Sequence, residues 1–443
     1  MPPLSPLSSL PSTPGVSRSS SPVPFVNPTH VIVSANTDNP SPILASSAST
    51  PSTTSNAKKR KNACNKQKSK ANKKHRRQEE GGKLTAEENP APASSVGKHV
   101  IDAPNIDAAF AFKNDVDVSS TAYVGYREGG LYDSEGYWLN DLVGPDSEFG
   151  FQEVQWDGRT TTPIVDKNGV VFALLAGQPD NDPTWDTCIS AAAKTLSKER
   201  SKCRFMEKQI SHRRGEYPAL TTGISYGGGQ THPGNLQHSA TNAAVLDRLT
   251  RHWAFKRLSG FANGVFSTWA PRLHRFYSEH LQNLLNHDSN LERTFPNTVF
   301  AAGTFNFGKQ TVCCDHIDYA NLLFGWCSIW SLGSFNPQKG GHLILWDLKL
   351  VIQFPPGSLI FIPSGVCRHS NTRIRSHETR FSFTQFSAGG LFRWVDHGYQ
   401  TEEKYLLSLK TRKQKDKAEK ERLACWQMGI GLLSTLDELQ TVA

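Results

Sequence analysis

The sequence predicts an α+β fold in which helices buttress a strand-built barrel and a long disordered tail comes first. Three observations predict it. From residue 298 to 386, short apolar runs such as Leu359-Ile360-Phe361-Ile362 follow turn signals such as Phe354-Pro355-Pro356-Gly357-Ser358, the pattern of a sheet-rich core. Residues 185–285 carry apolar residues at helical spacing. Residues 1–57 are rich in Ser, Pro and Thr with almost no aromatic residues, and such a segment cannot bury enough apolar surface to offset chain entropy. Helices followed by strands is the order expected of a double-stranded β-helix core (jelly-roll, cupin-like) with helices packed on one sheet.

Taken from the start, the 443 residues suffice for one large core plus tails. The opening MPPLSPLSSLPSTP has neither a basic head nor a continuous apolar stretch, so no signal peptide is expected. No run approaches the roughly eighteen apolar residues of a membrane span. Residues 58–80 form a basic segment, with eleven Lys/Arg between 58 and 77 and no Asp or Glu there. The formal charge of +9 less these eleven leaves −2 for the rest, so the basicity is local. Lys58-Lys59-Arg60-Lys61 and Lys73-Lys74-His75-Arg76-Arg77 look like the two arms of a nuclear-import signal, which predicts a nuclear location. The same charges attract nucleic-acid phosphates; a solvated linker with no partner is the plainer alternative.

A polar linker spans 81–105. Residues 106–215 are expected to form an N-terminal α/β part of the catalytic region. Short strands and turns with Tyr123, Tyr126, Tyr132 and Trp138 come first, then a helical pattern over 185–214 with Ala191, Leu196 and Met206 towards the core. Residues 216–400 are the expected core, entered through helices at 242–260 and 265–285, the second interrupted by Pro271. A strand over 298–306 follows, ending on Asn306, which either caps a turn or reaches a bound carboxylate. Residues 401–443 form a charged helical tail, with Lys410, Arg412, Lys413, Lys415 and Lys417 on a solvated side. Its terminal Leu432, Leu433, Leu436 and Leu439 would dock on the barrel or on a partner.

The eight Cys contain no C-x-x-C pair. A disulfide framework or zinc module therefore finds no support, and reduced thiols are expected. Cys313-Cys314 fit as small barrel residues rather than ligands. The loop Tyr226-Gly227-Gly228-Gly229-Gln230 lacks the G-K-[ST] of a phosphate cradle and serves as a turn or a substrate-side loop.

The chemistry-bearing stretch runs from Asp315 to Gln385. His316-Ile317-Asp318 ends a strand-like run, so the two ligand-type side chains, two apart, point to one face. His369 lies 51 residues beyond Asp318. Two His and a carboxylate make the facial triad of non-haem Fe(II) oxygenases, which leaves metal positions open. An oxoacid cosubstrate can chelate two of them and dioxygen take the third. The distal carboxylate of such a cosubstrate matches the planar fork of Arg380, with the Ser382 hydroxyl beside it. Arg380, Ser382 and Thr384 share one strand face, expected to line the barrel interior, while Phe381 and Phe383 share the other. With fifteen His in the chain, on the order of one H-x-D arises by chance. The weight therefore rests on the order H-x-D, His, R-x-S with strand patterning between. The bland alternative is a set of surface His and a structural Arg in an ordinary jelly roll.

Several segments carry a family resemblance. Gly340-Gly341-His342-Leu343-Ile344-Leu345-Trp346, FPPGSLIFIPS at 354–364, His369-Ser370-Asn371 and Glu378-Thr379-Arg380-Phe381-Ser382 resemble the TET/JBP-like 2-oxoglutarate/Fe(II)-dependent dioxygenases of fungal genomes, a transposon-associated family. Ala388-Gly389-Gly390-Leu391-Phe392-Arg393-Trp394-Val395 and Ile224-Ser225-Tyr226-Gly227-Gly228-Gly229-Gln230 are similar to it as well, so the resemblance covers roughly residues 215–400. It implies Fe(II) held by His316, Asp318 and His369, the cosubstrate 2-oxoglutarate on Arg380 and Ser382, and O2 as oxidant. It implies DNA as partner, with a methylated base flipped out and oxidised, most directly 5-methylcytosine to 5-hydroxymethylcytosine and then further. In TET enzymes the residue five after the first ligand His hydrogen-bonds the target cytosine, and here that position is Asn321; its other reading is an Asn holding its own loop. A second base-contacting His, eight residues after the cosubstrate Arg, is replaced by Ala388. Methyl groups on adenine (N6-methyladenine) or thymine therefore stay open as targets. The Cys-rich zinc region of animal TET enzymes is missing too. The same core acting on RNA or a protein side chain, and a non-catalytic transposon-derived DNA-binding protein, are the competing readings.

Overall fold

The computed structural model describes residues 99–116, 118, 121–125 and 136–441. The Ser/Pro-rich tail and the basic segment lie outside the described residues, as do Tyr126 and Tyr132. The strands before the first long helix are β1 (Ile106–Asp107), β2 (Gln152–Val154), β3 (Thr162–Val165) and β4 (Val171–Gly177). Helix α1 (Trp185–Arg200) is followed by a small hairpin, β5 (Ser211–His212) and β6 (Gly215–Glu216), and by β7 (Ala219–Ser225) and β8 (Gly234–Asn235). Three helices come next: α2 (Ala240–Arg251), α3 (Trp253–Trp269) and α4 (Pro271–His287). The remaining strands are β9 (Ala302–Asn306), β10 (Cys327–Ser334), β11 (Leu343–Leu345), β12 (Leu350–Ile352), β13 (Leu359–Ile362), β14 (His369–Asn371) and β15 (Thr379–Phe386). Helices α5 (Gly389–Asp396), α6 (Glu402–Ser408), α7 (Arg412–Ile430) and α8 (Leu436–Thr441) close the described chain.

Two sheets form a double-stranded β-helix. The larger has nine strands in the order β1-β3-β4-β13-β10-β15-β9-β7-β8, and the smaller has four in the order β14-β11-β12-β2. Period-two alternation decides what each face does. On one face of the large sheet Trp330, Phe383 and Phe305 lie opposite one another across β10, β15 and β9. Phe255 of α3 packs edge-on against Phe305 and Phe383, with ring centroids 5.0 and 5.4 Å apart, and Trp185 of α1 meets Trp330 at 5.8 Å. Burying each such ring stabilises the fold by about 1.5–3 kcal/mol, so this face takes the helices. The opposite face carries the polar partners Ser331, Ser382 and Asn306, then Ile329, Thr384 and Thr304.

Local chemistry sets the helix boundaries. The helix expected over 242–260 breaks in two at His252, whose ring accepts the Ala254 N–H and so starts α3. Pro271 stands at the first position of α4, where its missing N–H costs nothing. Two expectations are corrected. The helix expected over 185–214 ends at Arg200, because the Asn242 amide accepts from Arg204 N–H and donates to Arg204 O, occupying the backbone groups a helix would need. Met206, expected in the core, is consequently exposed, whereas Leu196 is buried and Ala191 half-buried. The terminal leucines dock on the barrel: Leu433 and Leu439 join the main core, and Val171 N–H donates to Ser434 O beside β4.

Candidate metal centre

The cavity between the two sheets is lined from both of them. The large sheet contributes Asn306, Ile329, Arg380, Ser382 and Thr384, and the small one Leu343, His369 and Asn371. His316 and Asp318 come from the segment before β10, which was expected to be strand-like. It is instead an irregular loop laid along β14. Cys313 N–H donates to Asn371 Oδ1 and Cys313 O accepts from Asn371 N–H. Three residues on, His316 and His369 exchange both backbone hydrogen bonds as an isolated antiparallel bridge. Asp318 N–H then bonds Ser364 O at 2.8 Å and turns the chain away. The loop thus works as a short extra strand, which carries His316 to His369.

His316, Asp318 and His369 bring one ligand-type atom each to within 4.8 Å of one another. Both rings are fixed from behind. His316 Nδ1–H donates to Cys314 O at 2.7 Å and His369 Nδ1–H to Cys367 O at 2.9 Å. That leaves Nε2 of each ring as the lone-pair atom, the tautomer a metal needs. Burial, then the neighbouring His369, pushes His316 well below the ordinary imidazole range, so it stays neutral. For Asp318, burial works upwards but is outweighed by His316, His369, Arg214 and Arg213, which hold the carboxyl at about 2. Two imidazoles presenting Nε2 and a carboxylate fit a divalent metal.

Arg380 is buried on the same cavity, and its guanidinium has one side committed: Nη1 donates to Thr311 O at 3.0 Å. Its Nε–H is buried without a partner among the described residues. Across from it, Asn306 Nδ2 donates to Ser382 Oγ at 2.7 Å while Asn306 Oδ1 is buried without a partner. A buried guanidinium beside orphaned polar atoms is costly unless something anionic satisfies it. A carboxylate does so, bonded by the planar fork.

Asn321 also lines the cavity, but its Nδ2 donates to Ser364 Oγ at 3.0 Å. Its backbone pairs with Ala388, whose side chain lies in an apolar cluster with Tyr226, Leu391 and Trp394. The Gly227-Gly228-Gly229 loop carries no residue of the cavity lining. Several lining or neighbouring residues escaped sequence reasoning, among them four that carry titratable groups. Arg214 and Tyr217 sit on the wall, with Tyr217 OH 3.0 Å from Cys313 Sγ. Arg213 reaches Asp318 Oδ1 at 3.2 Å. His342 is fully buried, and burial and then Arg380 push it down to about 4.

No family model matches the chain, and no curated protein matches it in sequence. Among solved structures, NgTET1 in complex with 5mC DNA is 14% identical, covering 55% of this chain and 84% of that one, with a TM-score of 0.38. An oxidoreductase of the 2OG-Fe(II) oxygenase family from Burkholderia pseudomallei is 16% identical, covering 45% of this chain and 77% of that one, with a TM-score of 0.26. Both likenesses are distant, and neither carries an activity across.

Proposed function

We propose that the protein is an Fe(II)/2-oxoglutarate-dependent dioxygenase that oxidises a methylated base in DNA. The observation that carries the reading is the shared cavity: a two-His, one-carboxylate cluster faces a buried arginine with an unpartnered N–H. His316, Asp318 and His369 would hold the metal through His Nε2 atoms and an ionised carboxylate. Arg380 would bind the distal carboxylate of 2-oxoglutarate, and Ser382, held by Asn306, would add a hydrogen bond. Bound iron, with 2-oxoglutarate and dioxygen, supplies the oxidising chemistry. The chain's part is to set the imidazole tautomers, to keep Asp318 ionised, and to surround the reacting atoms with barrel walls that exclude water.

DNA as the substrate and the nucleus as the location rest on the resemblance and on the basic segment at 58–80. A methyl group on a stacked base cannot reach a cavity between two sheets, so the base must be flipped out, at a cost of a few kcal/mol. 5-Methylcytosine is the first candidate. The engaged Asn321 amide and the apolar setting of Ala388 leave N6-methyladenine as the second. Incubating the protein with duplexes carrying either base, Fe(II) and 2-oxoglutarate, and analysing nucleosides by mass spectrometry, tests this. Oxidised 5-methylcytosine supports the first base and loss of the N6-methyl group the second. Unchanged nucleosides beside active 2-oxoglutarate turnover would move the substrate to RNA or protein.

A further inference from the structure

The β5–β6 hairpin is held to the metal loop by bonds from its tip. Arg214 O accepts the Cys314 N–H at 2.8 Å. Arg213 Nη1 donates to Ile317 O at 2.6 Å, and Nη2 donates to Asp318 Oδ1 at 3.2 Å. The guanidinium lies over the Tyr319 ring, 5.1 Å from its centroid. Gly215 completes the fit. Its φ of +133° and its closeness to Val312, whose carbonyl would lie 2.6 Å from a Cβ, leave no room for a side chain. One arginine therefore touches three consecutive residues at the end of the H-x-D segment and just beyond it: the backbone of Ile317, the carboxylate of Asp318 and the ring of Tyr319.

We propose that Arg213 is a positioning residue for Asp318, one that fixes which carboxylate oxygen faces the metal. The inference rests on the triad reading above. Asp318 stands on an irregular loop with its side chain 19% exposed, so nothing in a strand ladder sets its rotamer. The fork bond to Ile317 O anchors the guanidinium, and its second arm then holds Oδ1. Oδ1 is also the carboxylate oxygen 3.9 Å from His316 Nε2, so the arm that holds it sets which oxygen is turned to the metal side. Two effects of opposite sign follow. A held ligand pays less ordering entropy on binding, which raises affinity. A cation beside the ligand repels a divalent ion and weakens carboxylate donation, which lowers it. The Arg213 side chain is 38% exposed, so water and salt screen the repulsion, and orientation prevails.

Co(II), whose visible spectrum reports ligand geometry, is the probe. Titration of the wild-type protein and of Arg213→Ala, Arg213→Lys and His316→Ala measures affinity, and spectra at saturating Co(II) measure geometry. Loss of a group that orients a metal ligand typically costs 10–100-fold in metal affinity. Arg213→Ala should therefore bind Co(II) 10–100-fold more weakly and show an altered spectrum at saturation. Arg213→Lys should recover part of both, since an ammonium reaches the carboxylate but cannot bridge to Ile317 O as a planar fork. Thermal melting of the metal-free proteins should show all of them folded. Equal or tighter binding by Arg213→Ala with an unchanged spectrum overturns the positioning role while leaving the triad standing. Wild-type protein that takes no Co(II), or His316→Ala that takes it equally well, overturns the triad reading and this inference with it.

Discussion

His316 and His369 bond to each other through their backbones in both directions, at 3.1 and 3.0 Å, with ring centroids 4.3 Å apart. The pairing belongs to the main chain, so it does not depend on either imidazole. Replacing one ring should remove a ligand and spare the loop. His316→Ala and His369→Ala are each expected to lose at least about a hundredfold in metal affinity with circular dichroism unchanged. Isothermal titration with Mn(II) checks this; near-normal binding by either variant would remove that histidine from the site.

Arg380 is expected to set the affinity for 2-oxoglutarate. Arg380→Lys keeps the charge but loses the fork, and one lost charge-assisted bond weakens binding about tenfold or more. Ser382→Ala should cost less, because Asn306 Nδ2 can turn from Ser382 Oγ to the ligand. The concentration dependence of succinate release measures both. An identical dependence in the lysine variant would show that Arg380 serves the fold alone.

Acid stability should report the buried histidines. Burial pushes His274 down to about 4, and burial with Arg380 does the same to His342. A depressed histidine contributes stability that is fully present above its unfolded value of about 6.5 and is lost as pH falls through about 4. At pH 5 each should therefore cost on the order of 2 kcal/mol relative to pH 7. Urea midpoints at the two pH values measure the loss. His274→Gln cannot take up the proton, so its stability should fall by about 2 kcal/mol less between them. Equal losses in the two proteins would mean that His274 is solvated in the fold.

Asn321 offers a test of base contact. Asn321→Ala should slow oxidation of a methylated duplex while leaving metal and 2-oxoglutarate binding intact, because its side chain bonds Ser364 and neither ligand. Mispaired methylated bases should react faster than paired ones, since less unpairing energy is needed. Unchanged rates on every duplex would make Asn321 a loop residue only.

What the sequence made legible follows from period-two patterning. Arg380, Ser382 and Thr384 on one face and Phe381 and Phe383 on the other could be assigned because each contrast is between adjacent residues. The structure puts the first three on the cavity wall. Long-range register was not legible. Nothing in Cys313 to Asp318 announces that the loop pairs with β14, because an isolated bridge leaves no periodic trace. The hairpin at 211–216 escaped for a related reason. Ser-His-Arg-Arg-Gly-Glu contains no aliphatic or aromatic-hydrocarbon residue, and its position is set by bonds to Cys314, Ile317 and Asp318, about a hundred residues away. The Asn242 clamp on Arg204 is the same kind of contact, and it ended a helix that propensity alone would have continued.

Succinate formation is the most direct test of the account, because it needs the metal cluster and the arginine to act on one molecule of 2-oxoglutarate. Wild-type protein with Fe(II), 2-oxoglutarate and oxygen is predicted to form succinate, and to form it faster with a methylated duplex than with an unmethylated one. Asp318→Ala is predicted to form none above the protein-free control. No succinate from the iron-loaded wild type, or equal amounts from Asp318→Ala, would contradict it.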